Sequence, residues 1–196
     1  MPTDRFKLAL SKWIPELERK IDPKFTYHNV AHTFSVMEFC KVLAKDEGIN
    51  PEETELLLFA DLFHDYGFVK SPIEHEITGA QIASEYCKTV DFNTEQIKQI
   101  EELILSTKWP QNAKNHLSMI LCDSDLAYLG TPDYPKIADN LREERKALGF
   151  EFSDEDWFNL QINFLKEQHF FTASAKKHFQ SQKDIFLEEL LSTKRD

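Results

Sequence analysis

The fold is decided by the stretch Phe59-Ala60-Asp61-Leu62-Phe63-His64-Asp65-Tyr66-Gly67, which closes a helix whose limits the sequence marks. Asn50 is a favourable N-cap, and a glycine such as Gly67 commonly ends a helix. Every residue of the run 56–63 except Asp61 is apolar. A helix that is apolar on all sides is buried, so we expect this one to run through the middle of the molecule.

The His64-Asp65 pair is unusual at the end of a buried helix. An imidazole and a carboxylate are costly in apolar surroundings unless they are paired or bound to a metal. The pair is therefore either a hydrogen-bonded structural feature or part of a metal site. Adjacent residues lie about 100° apart around a helix, so a metal held here needs ligands from other segments.

The composition predicts an all-α protein that forms a single compact helical bundle. The chain has 196 residues, which fits one domain, and only 5 glycines and 8 prolines interrupt it. We expect one domain over 1–196, in which the C-terminal helices 134–192 pack on the rest of the chain. The apolar periodicity and the breaker residues predict helices at 4–20, up to about 46, 51–67, 74–88, 93–107, 114–129, 134–149, 153–168 and 175–191.

The overall charge and the apolar pattern exclude some partners. The formal net charge of −11 argues against binding to a nucleic acid polymer, which requires basic surface. A small phosphorylated ligand remains compatible, because a bound metal reverses the local potential of a pocket. No apolar run approaches the roughly 20 residues that span a membrane, and the three cysteines are widely spaced. We therefore expect a cytoplasmic protein without a membrane partner; the sequence leaves its oligomeric state open.

Further polar residues interrupt apolar segments on both sides of this stretch. His28 and His32 are four residues apart and share a face if a helix has already begun at His28. Asp123 and Asp125 are two apart, about 200° around a helix, and cannot share a face. Either one of them enters a site while the other faces water or caps a neighbour, or both are solvated. The charged segment 139–146 is expected to be a solvated face.

Among the polar residues that interrupt apolar segments, four follow one another in the order His32, His64-Asp65 and Asp125. Two imidazoles and two carboxylates suit Mn, Fe, Zn, Co or Ni, with Mg as a further candidate. This order resembles the HD superfamily of metal-dependent phosphohydrolases, whose pattern is a His, a His-Asp doublet and a distant Asp on a helical core. The opening Tyr27-His28-Asn29-x-x-His32 resembles the form found in cyclic-nucleotide phosphodiesterases and small bacterial HD hydrolases. The tract Asp123-Ser124-Asp125-Leu126-Ala127-Tyr128-Leu129-Gly130 is similar to the bacterial form.

The resemblance, which covers about 25–130, implies a role for each matching residue. His32, His64, Asp65 and Asp125 match the metal ligands; Asp125 is preferred to Asp123 because the ligand stands directly before a Leu. His28 matches the general acid of the phosphodiesterases. Asp65 is also placed to hold or deprotonate the attacking water.

His75 lies in a tract, His75-Glu76-x-x-Gly79-Ala80, from which some two-metal relatives take another ligand, so it is a candidate for a second metal. Phe68 stands where many relatives have a lysine. Three further residues near helix ends and loops are candidates to bind substrate phosphate: Lys70, Thr107 and Lys108.

The leading hypothesis is therefore a metal-dependent phosphohydrolase or phosphodiesterase that acts on a small nucleotide or another phosphorylated metabolite. Two alternatives share the fold. An HD-type di-iron oxygenase would take up oxygen in an iron-dependent reaction. A non-catalytic nucleotide-sensing HD module would bind its ligand tightly without turnover.

Overall fold

The computed structural model describes residues 3–193, and within that range the regular structure is helical, with no strand. The prediction of an all-α bundle is confirmed. Short 3₁₀ segments follow two of the helices, at Tyr66–Val69 and Ala127–Gly130, and a π-helical turn covers Lys176–Gln180. The α-helices are α1 (Asp4–Lys20), α2 (Val30–Asp46), α3 (Pro51–His64), α4 (His75–Cys87), α5 (Thr94–Ser106), α6 (His116–Asp125), α7 (Tyr134–Ala147), α8 (Asp154–Glu167), α9 (Ala173–Ala175) and α10 (Ser181–Thr193).

Helix α3 is the centre of the bundle, as its sequence predicts. It contacts α1, α2, α4, α5 and α6, and every residue from Glu55 to His64 is buried. The Asn50 side chain accepts a hydrogen bond from the Glu53 amide at 2.9 Å, so the predicted N-cap is confirmed. Because the helix is surrounded on all sides, its C-terminal residues are delivered into the interior of the protein.

The end of α3 differs from the prediction based on Gly67. The helix ends at His64, and Gly67 lies within the following 3₁₀ segment. Gly67 is required by a close approach, because a Cβ at this position would lie 2.0 Å from the His75 carbonyl oxygen. Gly79 serves similarly on α4, where a Cβ would lie 2.3 Å from the Phe63 carbonyl oxygen. These two glycines allow α4 to pack directly on the end of α3.

Helix α2 begins at Val30, so His28 precedes the helix and the condition for a helical face shared with His32 is not met. The cause is Asn29, whose side chain accepts hydrogen bonds from the amides of Ala31 and His32 at 2.9 and 3.3 Å. Helix α6 is likewise shorter than predicted and ends at Asp125.

The C-terminal helices pack through a second apolar cluster that includes Tyr128, Leu129, Tyr134 and Leu165. Segment 139–146 is not wholly a solvated face, because Glu144 is only 1% exposed. Among residues 3–193, none of the helices has both the length and the apolar character required to span a bilayer.

Candidate metal centre

Four side chains converge where three helices meet. His32 comes from the first turn of α2, His64 is the last residue of α3 and Asp65 follows it, and Asp125 is the last residue of α6. The termination of α3 and α6 at this point lets their final side chains face the start of α2. The structure thus brings together all four residues that match the family's ligand positions.

The atoms of this cluster are spaced like ligands around one ion. His32 Nε2 lies 3.2 Å from Asp65 Oδ2, 3.2 Å from Asp125 Oδ1 and 3.4 Å from His64 Nε2. His64 Nε2 lies 3.2 Å from Asp65 Oδ2 and 3.7 Å from Asp125 Oδ1. Ligands bound about 2.1 Å from a metal are separated by roughly 3.0–3.4 Å in octahedral or tetrahedral geometry. Asp65 Oδ2 is also buried without a hydrogen-bond partner. This donor set fits a divalent transition metal.

Residues around the cluster fix the orientation of His64. Its Nδ1–H donates to the Asp61 carbonyl oxygen at 2.7 Å, which leaves Nε2 to face Asp65 and Asp125. The Asp61 carboxyl group is fully buried, and neither of its oxygens has a hydrogen-bond partner. Burial raises the pKa of this carboxyl group to about 8.

The two imidazoles and Asp65 influence one another strongly. Burial alone would lower the pKa of His32, but the carboxylates of Asp125 and Asp65 raise it to about 9. Burial would likewise lower the pKa of His64, but the nearby carboxylates, chiefly Asp65, raise it to about 10. Burial disfavours ionised Asp65, yet the surrounding imidazoles hold the pKa of its carboxyl group well below the usual range. Without a metal, the cluster is therefore a buried set of protonated imidazoles and carboxylates.

Asp123 has a different environment from Asp125. It is fully buried, and its carboxylate accepts hydrogen bonds from the Phe171 amide at 2.8 Å, the Thr172 amide at 2.8 Å and the Thr172 hydroxyl at 2.7 Å. Asp123 thus anchors the segment before α9, while Asp125 faces the histidines. One acid enters the cluster and the other caps a neighbouring segment, which is one of the two arrangements expected from their spacing.

His28 lies at the edge of the cluster and is held by a residue that the sequence interpretation missed. Its Nδ1 hydrogen-bonds to Glu144 Oε1, while Glu144 Oε2 accepts from the amides of Tyr27 and His28 at 2.9 and 3.0 Å. The His28 ring stacks on Phe68, with centroids 4.0 Å apart and 15° between the planes. Burial opposes ionisation of Glu144, but the hydrogen bond with His28 lowers the pKa of its carboxyl group.

A signal for Glu144 is present in the sequence of α7. Ile137, Leu141, Glu144 and Leu148 are spaced by three or four residues, so Glu144 lies on the apolar face of the helix rather than on the solvated one. An acid on such a face requires a partner, and that partner is provided by the loop before α2. The charged neighbours of Glu144 concealed this signal.

His75 approaches Asp65 from α4. Its Nε2 lies 3.3 Å from Asp65 Oδ1 and 3.4 Å from Glu76 Oε1, while its Nδ1 faces the Pro72 carbonyl oxygen at 3.1 Å. Asp65 therefore faces the two cluster histidines through Oδ2 and His75 through Oδ1. A second metal at His75 stays a prediction.

The cluster borders a cavity of about 610 Å³, which includes His28, Asp65, His75 and Asp125 in its wall. Of the three candidates for phosphate binding, Thr107 lines this cavity, although its hydroxyl donates to the Ile104 carbonyl oxygen at 2.8 Å. Lys108 is exposed beyond the end of α5 and is not among the lining residues. Lys70 lines a separate cavity with Trp13 and Tyr86, so the structure does not bring it to the cluster.

Fold and site together define the class as an all-α protein with a His-and-Asp centre of metal-ligand spacing beside a cavity. The HD domain family model matches residues 29–127, and the chain belongs to the HD domain family. Family membership and the cluster of His32, His64 and Asp125 support a metal-dependent hydrolase.

Two solved structures share the fold. A predicted HD superfamily hydrolase from an uncultured Thermotogales bacterium is 20% identical, with a TM-score of 0.64 over 98% of this chain and 91% of that chain. A structural-genomics target from Lactobacillus plantarum is 17% identical, with a TM-score of 0.71 over 100% of this chain and 98% of that one. A comparison with curated proteins finds no match.

Proposed function

We propose that the protein is a metal-dependent phosphohydrolase or phosphodiesterase that acts on a small nucleotide or another phosphorylated metabolite. The observation that carries the proposal is that Asp65 and Asp125 of the ligand cluster border one cavity of about 610 Å³ together with His28, which Glu144 holds. The Thermotogales protein that shares the fold is itself a predicted hydrolase, which is consistent with this reaction class.

Different residues around the cavity would perform different parts of the proposed reaction. A divalent metal held by His32, His64, Asp65 and Asp125 would polarise a phosphoryl oxygen and lower the pKa of water. Asp65 can orient a water through the oxygen that faces the cavity. His28, fixed through Nδ1 by Glu144, can donate a proton from Nε2 to the leaving oxygen. The P–O bond breaks, water supplies the new oxygen on phosphorus, and the leaving group departs as an alcohol or a phosphate.

The size and lining of the cavity favour a small organic phosphate. Small-molecule sites are typically about 300–1,000 Å³, and this cavity falls within that range. Trp109, Tyr134, Trp157 and Phe164 supply aromatic faces in its wall. Such faces suit a nucleobase or another flat group, because stacking requires only a planar π surface.

A screen of purified protein tests the proposal. Nucleoside mono-, di- and triphosphates and cyclic nucleotides are incubated with Mn, Fe, Co, Ni, Zn or Mg, and release of phosphate or monoester is measured. We expect turnover that chelation abolishes and that His64→Ala lacks. Tight binding without turnover under every metal would instead identify a sensing module, and iron-dependent oxygen uptake would identify an oxygenase; either would overturn the proposal.

A further inference from the structure

Arg145 is the one lysine or arginine among the described residues that line the cavity. Its Nε atom is buried without a hydrogen-bond partner, and its guanidinium forms no ion pair within residues 3–193. Arg145 as a whole is half-buried, and a buried N–H donor that lacks a partner is costly. Arg142, one turn earlier on α7, does have partners. It pairs with Asp154 at 2.7 Å and donates to the Phe152 carbonyl oxygen at 3.2 Å.

Helix α7 places Arg145 on the wall that also holds the proton donor. Tyr134, Ala138, Leu141 and Arg145 form a stripe along the helix, and all four line the cavity. Glu144, the residue before Arg145, binds His28 Nδ1. Since His28 serves the leaving oxygen in the proposed reaction, Arg145 belongs to the side of the cavity that receives the leaving group.

Within residues 3–193, no ion pair joins Arg145 to another charged residue of the cavity wall, Glu167 included. Asp65 and Asp125 are committed to the histidine cluster, and Glu76 lies 3.4 Å from His75. Asp156 lines the cavity without an ion pair to Arg145, and its carboxylate accepts from the Ser153 hydroxyl at 2.7 Å. The guanidinium therefore has donors available for an anion that enters with the ligand.

We propose that Arg145 binds a second anionic group of the substrate, a phosphate or a carboxylate carried by the leaving group. This inference rests on the proposed function and specifies its substrate class. A guanidinium recognises either anion through paired N–H donors. Hydrolysis breaks the P–O bond at the cluster, water supplies the new oxygen on phosphorus, and Arg145 holds the anionic group of the leaving group until that product dissociates.

Three aryl phosphates that differ only in the second anion test the inference. Phenyl phosphate has none, 4-carboxyphenyl phosphate adds a carboxylate, and 1,4-phenylene bisphosphate adds a phosphate that is equivalent to the first by symmetry. For Arg145→Gln we expect kcat/KM to fall roughly 10- to 100-fold on at least one substrate with a second anion, mainly through KM. The kcat/KM for phenyl phosphate should change little. Of the other two substrates, the one with the larger loss of kcat/KM identifies the anion that Arg145 prefers. Arg142→Gln, the matched control on the same helix, should leave all three rates unchanged.

An equal loss on all three substrates would overturn the inference. So would the absence of a loss on both substrates that carry a second anionic group. A binding experiment separates that outcome from failure of the proposed function. The dissociation constants of benzylphosphonate and 4-(phosphonomethyl)benzylphosphonate are measured by calorimetry for wild type and Arg145→Gln. We expect the substitution to weaken only the bisphosphonate, whether or not any ester is hydrolysed; equal weakening of both ligands, or of neither, would contradict the role of Arg145.

Discussion

Asp123 and Asp125 leave the last turn of α6 in different directions, and their surroundings give them different tasks. Asp123 accepts three hydrogen bonds from Phe171 and Thr172, whereas Asp125 lies 3.2 Å from His32 Nε2. The same chemical change should therefore have different consequences at the two positions.

Asp125→Asn should lose most of its metal affinity, because it removes a charged ligand that lies 3.2 Å from His32 Nε2. Asp123→Asn should keep the metal and lower the free energy of unfolding by about 1–3 kcal/mol, since it weakens a buried, charge-assisted network. Metal stoichiometry and urea unfolding of the metal-free proteins check both. If Asp123→Asn lost more metal affinity than Asp125→Asn, the ligand would be Asp123 rather than Asp125.

His28→Ala should keep the metal and lose turnover by roughly 10²–10⁴, the usual contribution of a positioned proton donor. The loss should be smaller on p-nitrophenyl phosphate, whose leaving group needs little protonation. Glu144→Gln should change the pH profile of kcat by removing the negative partner of the imidazole. Full activity of His28→Ala on poor leaving groups would exclude the acid role, and a fall in metal content would make His28 a ligand instead.

At the scale of elements, the contact between α3 and α4 positions the side of the cluster that faces His75. Gly79 permits α4 to touch the Phe63 carbonyl group, and Gly67 permits the 3₁₀ segment to touch the His75 backbone. A glycine in these positions is therefore a packing requirement, which differs from the left-handed backbone of Gly48, whose φ is +70°.

Gly79→Ala should destabilise the protein by about 1–3 kcal/mol, because the added methyl group must push α4 away from α3. It should also weaken metal binding, since the end of α3 carries His64 and Asp65. Gly48→Ala is the control: nothing lies within 4 Å of its added Cβ, so only stability should fall. Thermal melts and metal titrations distinguish the two, and an unchanged metal affinity in Gly79→Ala would show that this contact does not position the ligands.

Elements governed by local chemistry were predictable from the sequence, and features created by tertiary contacts were not. The Asn50 cap depends on an amide only three residues later, and it is confirmed. The role of Gly67 depends on His75, and the partner of Glu144 is His28, in a loop more than 100 residues earlier. The resemblance to the HD pattern could assign four ligands, but it could not show that Lys70 lies away from the cavity beside them.

At the scale of the molecule, the cluster joins the start of α2 to the ends of α3 and α6. Like-charged imidazoles and buried carboxylates occupy this junction when no metal is bound. A metal that binds only the folded state should therefore raise the melting temperature, by mass action and by replacing protons at the junction.

The raised pKa values of His32 and His64, about 9 and 10, determine how metal affinity should change with pH. Both values exceed 7, so both imidazoles are protonated in the metal-free protein at neutral pH and must lose their protons to bind a metal. Metal uptake at pH 7 should release about two protons per ion, and affinity should increase between pH 6 and 9. Calorimetry in buffers of different ionisation enthalpy measures the number; release of none would contradict protonated imidazoles in the free cluster.

Metal content after equilibrium dialysis tests whether His32, His64, Asp65 and Asp125 hold one divalent metal. His64→Ala is the informative variant, because it removes a buried ligand at the end of the central helix. The wild type should retain the ion and His64→Ala should retain almost none, while circular dichroism shows the same helical content in both. Retention of metal by His64→Ala at the wild-type level would contradict the claim.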